Sequence, residues 1–93
     1  MDNSIMWRTF LAKWPPSLEH RGVVVANDEQ VSFVDFLLSE QAALFERLAP
    51  DAAGGRKLII PYSKIDAIKI TESVDSQIFA PSGFMPVETT TSV

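Results

Sequence analysis

The stretch Lys57-Leu-Ile-Ile-Pro-Tyr-Ser-Lys-Ile-Asp-Ala-Ile-Lys-Ile70 decides the fold class, because it contains two aliphatic runs separated by a turn. The first run predicts a strand that ends at Pro61, since proline has no amide hydrogen to donate and belongs at a strand end or on a sheet edge. The next two residues predict a tight turn, and 64–70 predicts the final strand. Ile65 falls out of register with the later isoleucines, which predicts a bulge or bend.

Two more strand signals lie upstream of this stretch. Residues 21–26 form a β-branched run, and 31–38 form a second apolar run with partial alternation. Turn-forming residues at 27–30 separate them, so the sequence predicts a β-hairpin with a four-residue loop. The partial alternation predicts that the second strand is bent, with protein on both of its faces.

Residues 40–49 carry signals for both helix and strand. Ser39 as a cap, strong helix formers, and Leu44 and Leu48 four residues apart favour a helix by local rules. The surrounding β pattern favours a strand through 43–49, so we expect a strand there. Residues 50–55, which contain a glycine pair, predict a loop.

The two ends of the chain differ from its middle. Residues 3–14 predict a short helix, capped by Asn3 or Ser4 and stopped by the following proline pair. Its apolar stripe consists of Trp7, Phe10, Leu11 and Trp14. This stripe predicts a helix packed on its own domain, and the alternative is a partner-binding helix with aromatic anchors. Residues 72–93 predict an extended or partly disordered tail, whose apolar islands would lie on this chain or on a neighbour.

Composition limits the possible functions. The chain has 93 residues, no cysteine and a net charge of −4, so it predicts one small domain, 1–71, followed by the tail. A core of this size is marginal, which makes a homo-oligomer a reasonable expectation. The N-terminus has no signal-peptide pattern and no apolar run approaches the ~20 residues of a membrane span, so we expect a cytoplasmic protein without a membrane.

No pattern of catalytic residues is present. His20 is the one histidine and predicts an ordinary exposed side chain, because a single histidine cannot build a histidine-rich metal site. Asp35 lies in an apolar run, where an acid that accepts loop amides is a simpler interpretation than a catalytic acid. The sequence therefore predicts a protein that is not an enzyme and has no metal or cofactor. An unfamiliar site shared between subunits is the remote alternative.

The succession of a short helix and five strands, with a longer loop before the fourth, resembles Sm-like (LSm) proteins over roughly residues 4–70, and two motifs match in part. That family has an N-terminal helix and five strands, and its first motif is an aliphatic residue, an Asp and a Met-Asn pair. The corresponding positions here are Val31, Asp35, Leu38 and Ser39. Its second motif, Ile-Arg-Gly followed by two variable residues and an aliphatic one, corresponds to Ile60-Pro61-Tyr62-Ser63-Lys64-Ile65. Ser39 thus stands for the family's Asn, and Pro61-Tyr62 for its Arg-Gly.

The resemblance implies a small Sm-like five-stranded barrel that assembles into a homo-oligomeric ring. In this family the fourth strand of one subunit pairs with the fifth of the next, which here are 57–60 and 65–70. The resemblance also implies that single-stranded RNA binds at Asp35, Ser39, Tyr62 and Lys64, with Tyr62 stacking on a base and Lys64 contacting a phosphate. The alternative is a protein-interaction or structural module that binds no nucleic acid, which the acidic balance and the missing Arg-Gly favour.

Overall fold

A computed structural model describes residues 2–87 of the chain, and this part is mainly β. The bounds of its elements are α1 Ser4–Ala12, β1 Gly22–Ala26, β2 Glu29–Phe33, β3 Asp35–Leu38, β4 Ala42–Glu46, β5 Lys57–Pro61, a 3-10 turn Tyr62–Lys64, β6 Ile65–Lys69 and a tail 3-10 helix Ser76–Ser82. The predicted β class and the short N-terminal helix are confirmed. The end of the predicted tail, 88–93, lies outside the described residues.

The strands form two antiparallel sheets, ordered β2-β1-β6 and β3-β4-β5. Only Val34 separates β2 from β3, so one continuous segment contributes an edge strand to each sheet. The sequence predicts this segment as one bent strand, and its division at Val34 gives six strands instead of five. Within residues 2–87, β5 does not pair with β6 and no closed barrel is found. The Sm-like barrel therefore stays a prediction.

The hairpin of β1 and β2 has a shorter turn than predicted. Ala26 lies opposite Glu29, which leaves Asn27 and Asp28 as a two-residue turn, and both have positive φ angles of 53° and 63°. This is the backbone of a type I′ turn, whose twist matches that of the flanking strands, and Asn and Asp tolerate it better than most residues. The prediction of a four-residue loop is wrong, because Glu29 and Gln30, which it places in the loop, pair with β1.

The predicted irregularity near Ile65 is confirmed. Val25 pairs with Ala67, whereas Ala26 pairs with Ile65, so Asp66 is an extra residue on β6. This bulge turns the side chain of Ile65 into the core, where it is fully buried.

Residues 42–46 form a strand, so the predicted type is confirmed, but the strand ends at Glu46 and not at 49 as predicted. β4 lies between β3 and β5 and pairs with both. Ala43 and Phe45 are fully buried on its inner face, whereas Leu48, which a helix would place beside Leu44, lies beyond the strand and is 76% exposed. Pairing on both sides thus overrides the local helix preference of these residues.

The core lies between the two sheets and beneath α1. An aromatic group forms its centre, with Phe33 and Phe45 at 4.9 Å and Trp14 and Phe36 at 5.1 Å between ring centroids. Leu11 and Trp14 of the N-terminal segment are buried, and the indole of Trp14 donates to the carbonyl of Leu18 at 3.1 Å. The apolar stripe of α1 therefore packs on its own domain. Of the helices in the described part, none has both the length and the apolar character that crossing a bilayer requires.

The helix begins one residue later than predicted and is capped by a different side chain. Asp2 accepts hydrogen bonds from the amide and the hydroxyl of Ser4 at 2.9 and 2.6 Å. Of the two predicted caps, Asn3 instead donates to the carbonyl of Ile65 at 3.0 Å and so ties α1 to β6, and Ser4 is itself the first residue of the helix.

The described part of the tail folds back on the chain. The tail 3-10 helix places Ile78 and Phe79 against the core, and the ring of Phe84 lies 5.7 Å from that of Phe10 on α1. Ser82 also donates a hydrogen bond to the carbonyl of Lys13. These apolar islands thus lie on this chain's own surface, and residues 76–82 are helical where the sequence predicts an extended segment.

Candidate functional site

The predicted site residues Ser39 and Tyr62 are brought together, but not as a base-stacking pair. The Tyr62 hydroxyl donates to the Ser39 carbonyl at 2.7 Å, and the Tyr62 amide donates to the carbonyl of Gln41 at 3.1 Å. The Tyr62 ring is only 1% exposed, so it offers no face on which a base could stack. Burial raises the pKa of its phenol above the ordinary 10.0, against the opposing charge of Arg8. Tyr62 therefore acts as a structural link between two loops.

Ser39 itself closes the turn between β3 and β4. Its hydroxyl donates to the carbonyl of Ala42 at 2.9 Å and accepts from the Ala42 amide at 3.2 Å. The single hydrogen that the Ser39 hydroxyl can donate is thus engaged within the turn. Its exposed side chain is therefore a weak candidate for hydrogen bonding to a base edge.

The two linked loops and α1 enclose an open cleft of about 340 Å³. Its lining residues are Asp2, Ser4, Ile5, Arg8, Glu40, Gln41, Pro61, Tyr62 and Ser63. The guanidinium of Arg8 makes a long contact of 3.4 Å with the carbonyl of Glu40. The sequence gives no signal for a role of Arg8, because nothing in the pattern of α1 indicates that it faces these loops. The cleft contains one arginine and two carboxylates, so it is not a strongly cationic site.

Asp35 lies at the other end of β3 from Ser39. Its carboxylate accepts from the Phe36 amide at 2.8 Å and lies 3.4 Å from Nδ1 of His20. The imidazole of His20 stacks against the ring of Phe36, with centroids 4.7 Å apart. His20 is half-exposed, as the sequence predicts, but its contact with Asp35 was not predicted, since the two residues lie on separate elements.

Lys64 faces a third place, a depression of about 250 Å³ between β5 and the β1–β2 turn. Asn27, Val31 and Leu58 also line this depression. The four residues predicted to form one nucleic-acid site are therefore distributed over three locations, and only Ser39 and Tyr62 are in contact.

Comparison with known proteins adds no relative. No family model, curated protein or solved structure matches this chain. Among residues 2–87, no three side chains of the metal-binding types lie together as an ion site would require. The function must therefore be inferred from the surfaces of the fold.

The most distinctive surface is the solvent-facing side of β3-β4-β5. We call it the outer face, and its residues are Asp35, Leu37, Leu44, Glu46, Lys57 and Ile59. Strand pairing arranges them in two parallel rows, a charged row Asp35–Glu46–Lys57 and an apolar row Leu37–Leu44–Ile59. Leu37 is 65% exposed and Ile59 is 69% exposed. A contiguous row of large, exposed aliphatic side chains is typical of a surface that binds a partner.

Each sheet has two edge strands, and one continuous segment forms those at β2 and β3. The other two edges, at β5 and β6, belong to separate segments. Arg47 donates to the Arg56 carbonyl at 2.8 Å, and Tyr62 donates to Gln41, so the even-numbered residues of β5 point their backbone groups toward β4. The amides and carbonyls of Lys57 and Ile59 consequently point away from the sheet. Pro61, at the end of the strand, lacks an amide, as expected on an edge.

Proposed function

We propose that this chain is a non-enzymatic assembly module that forms homo-oligomers by pairing β5 of one copy with β6 of the next. The observation that carries the proposal is that β5 and β6 are both edge strands, at opposite ends of the strand path β6-β1-β2, β3-β4-β5. Pairing between copies would join this path into a longer one and remove both edges, which are otherwise open to unwanted association.

The chemistry of the two edges supports this pairing. β5 presents outward backbone groups at Lys57 and Ile59, and both edge strands are rich in isoleucine. Lys57 and Pro61 on β5 and the bulge at Asp66 on β6 are features that can oppose edge pairing. The support for the pairing is therefore the outward backbone groups of β5 and the aliphatic side chains of both strands. The N-terminal helix and the longer loop before β5 also fit the layout that the Sm-like resemblance implies, if β2 and β3 are counted as one bent strand. An Sm-like ring is therefore the form of assembly that we propose.

The experiment measures the mass of the full chain by light scattering at micromolar concentration. We expect an oligomer larger than a dimer, because each copy has two different edges to fill and such head-to-tail contacts continue from copy to copy until the rotation closes a ring. The variant Ile59→Pro removes the outward amide at the centre of the edge and should reduce the mass to that of smaller species. Ile59→Ala is the matched control, since it shortens the same side chain but keeps the amide.

Circular dichroism must show that both variants keep their β structure. A wild-type chain that is monomeric under these conditions would refute assembly through the edges. Equal masses for Ile59→Pro and Ile59→Ala would show that the outward amide of β5 is not part of the contact.

Binding of single-stranded RNA is a second candidate function, and one specific observation supports it. The loops at 39–41 and 61–63, which correspond to the RNA-binding loops of the resemblance, meet beside the cation of Arg8. In this form of the proposal Arg8 takes the role that the resemblance assigns to an arginine at position 61. The net charge of −4 and the carboxylates of Asp2 and Glu40 in the same cleft oppose phosphate binding.

Fluorescence anisotropy with labelled oligo-U tests this candidate at two salt concentrations. If RNA binds, affinity should fall between about 50 and 200 mM salt, because phosphate contacts release counterions. Arg8→Ala should weaken binding, whereas Arg21→Ala, a matched change of an exposed arginine outside the cleft, should not. No binding at the lower salt concentration would exclude RNA as a ligand of this cleft.

A further inference from the structure

The charges of the outer face are arranged in a row that the fold itself uses only at Asp35, which contacts His20 and the Phe36 amide. Asp35, Glu46 and Lys57 are consecutive partners across β3, β4 and β5, and all three are exposed. In the described part of the chain, the ion pairs within 4 Å are His20–Asp35 and Glu19–Arg21. Glu46 and Lys57 thus form no ion pair although they are directly opposite each other. Glu46 and Lys57 are therefore available to a partner, and Asp35 remains exposed beside His20.

The two rows are self-complementary under a twofold rotation. A twofold axis parallel to β4, in the plane between two facing sheets, keeps each row opposite itself but reverses its direction. Asp35 of one copy then faces Lys57 of the other, and the same pair occurs a second time. In the apolar row, Leu37 faces Ile59 and Leu44 faces its own copy.

We propose that the outer face binds a second copy of this chain, face to face, about such an axis. Two stacked sheets lie about 10 Å apart with their strands about 30° from parallel, a distance that leucine and isoleucine side chains fill from both sides. The apolar rows then exclude water at the centre of the contact, and the two Asp35–Lys57 pairs lie at its margin. The occupant is a second copy because the charge order of the row is its own complement when reversed.

One element of the arrangement works against the contact. Glu46 lies at the middle of the charged row, so the rotation brings the two Glu46 side chains near each other. The face is also small, since six outward side chains are far fewer than the 20–30 residues on each side of a standard interface. We therefore expect a weak dimer that forms at high concentration and dissociates as salt screens the marginal ion pairs.

This contact is separate from the edge pairing proposed above. Edge pairing uses the backbone of β5 and β6, whereas the face contact uses side chains on β3, β4 and β5. If both occur, rings would associate through their outer faces. If only the face contact occurs, the largest species is a dimer, and if only edge pairing occurs, the oligomer is insensitive to changes at Leu37 on β3. The two proposals can thus fail independently.

The decisive experiment is a charge exchange, followed by sedimentation of the full chain over a range of concentrations. Lys57→Asp and Asp35→Lys should each weaken the association by about tenfold or more, because each replaces two attractive pairs by two repulsive ones. The double variant Asp35→Lys with Lys57→Asp restores the attraction in reverse and should return to within about threefold of the wild-type value. Lys64→Asp, which makes the same charge change at an exposed lysine outside the face, is the control and should have no effect.

Two further variants keep the test conclusive. Glu46→Gln removes the repulsion at the centre of the row and should strengthen the association by about threefold. Asp35 also accepts a hydrogen bond from Phe36, so if Asp35→Lys does not fold, Leu37→Lys replaces it and should abolish the dimer. The proposal is overturned if the wild type does not associate through this face at any accessible concentration, if the double variant fails to recover, or if Leu37→Lys leaves the association unchanged.

Discussion

On the inner face of β3-β4-β5 lie Phe36, Phe45 and Ile60, and on its outer face lie Leu37, Leu44 and Ile59. The residues of the two faces alternate along the same strands, and both sets are apolar. The inner set is buried in the core, whereas Leu37 and Ile59 are mostly exposed. Burial against the other sheet therefore explains the inner set, and nothing within the described part of the chain explains the outer one. This difference separates the residues that hold the fold from those available for association.

The largest expected effect is the difference in stability between a truncation to alanine on the inner face and one on the outer face. Phe45→Ala should lower the free energy of unfolding by about 3–5 kcal/mol, because it leaves a cavity beside Phe33 and Phe36. Leu37→Ala should change it by no more than about 0.5 kcal/mol, since most of that side chain is in water.

Urea unfolding of both variants, at a concentration where the chain is monomeric, gives the two free energies. Similar losses in Phe45→Ala and Leu37→Ala would contradict the assignment of the two faces. If the Leu37→Ala variant instead loses stability only at high protein concentration, the loss measures association and not folding.

A smaller effect is expected at Tyr62, the polar side chain on the inner side of the fold. Tyr62→Phe should cost about 1 kcal/mol, because it removes the hydrogen bond to the Ser39 carbonyl but leaves the buried ring. The folded-state pKa of Tyr62 lies above the ordinary value of 10.0, so the wild type keeps this contribution below pH 10.0 and loses it as the pH rises through the folded-state pKa.

Urea midpoints of wild type and Tyr62→Phe, measured at neutral pH and at alkaline pH, check this prediction. The advantage of the wild type should shrink or reverse at alkaline pH. An advantage that is constant across the whole range would show that the phenol is not buried in solution.

The sequence predicts the elements of this fold better than their relations. The proline at the end of β5 and the register of Ile65 correctly place a strand end and a bulge, because both follow from the covalent structure of a few adjacent residues. The turn at Asn27-Asp28 is predicted too long, since hydrogen bonding to β1 and not residue type decides where β2 begins. Residues 42–46 become a strand only because two neighbouring strands are available.

The candidate site is less predictable for a related reason. Tyr62 is an aromatic residue in a turn, and its sequence position alone does not distinguish a ring that faces water from one that faces the core. The fold buries it under α1, and the same packing brings Arg8 to the cleft. The contacts of His20 with Asp35 and Phe36 likewise join elements separated along the chain. Such contacts depend on tertiary geometry, for which a single sequence carries no local signal.

The smallest expected effect concerns the loop that joins β4 to β5 and belongs to neither face. The Asp51 carboxylate accepts hydrogen bonds from the amides of Gly55 and Ala53 at 2.7 and 2.9 Å, and these lower its pKa below the ordinary 3.8. Because the folded-state pKa is depressed, this contribution to stability is present above pH 3.8 and is lost as the pH falls through the lowered value. Asp51→Asn keeps an oxygen acceptor without a charge, so its stability should lack this acid-dependent contribution.

Urea midpoints of wild type and Asp51→Asn at about pH 6 and about pH 3 measure the difference. The wild type should be slightly more stable at the higher pH, and the gap should narrow at the lower one. Because the loop lies outside the outer face, association of the Asp51→Asn variant should equal that of the wild type. A change in association without a change in stability would mean that the contact extends beyond the two rows of the outer face into the β4–β5 loop, and the boundary drawn between fold and interaction surface would move accordingly.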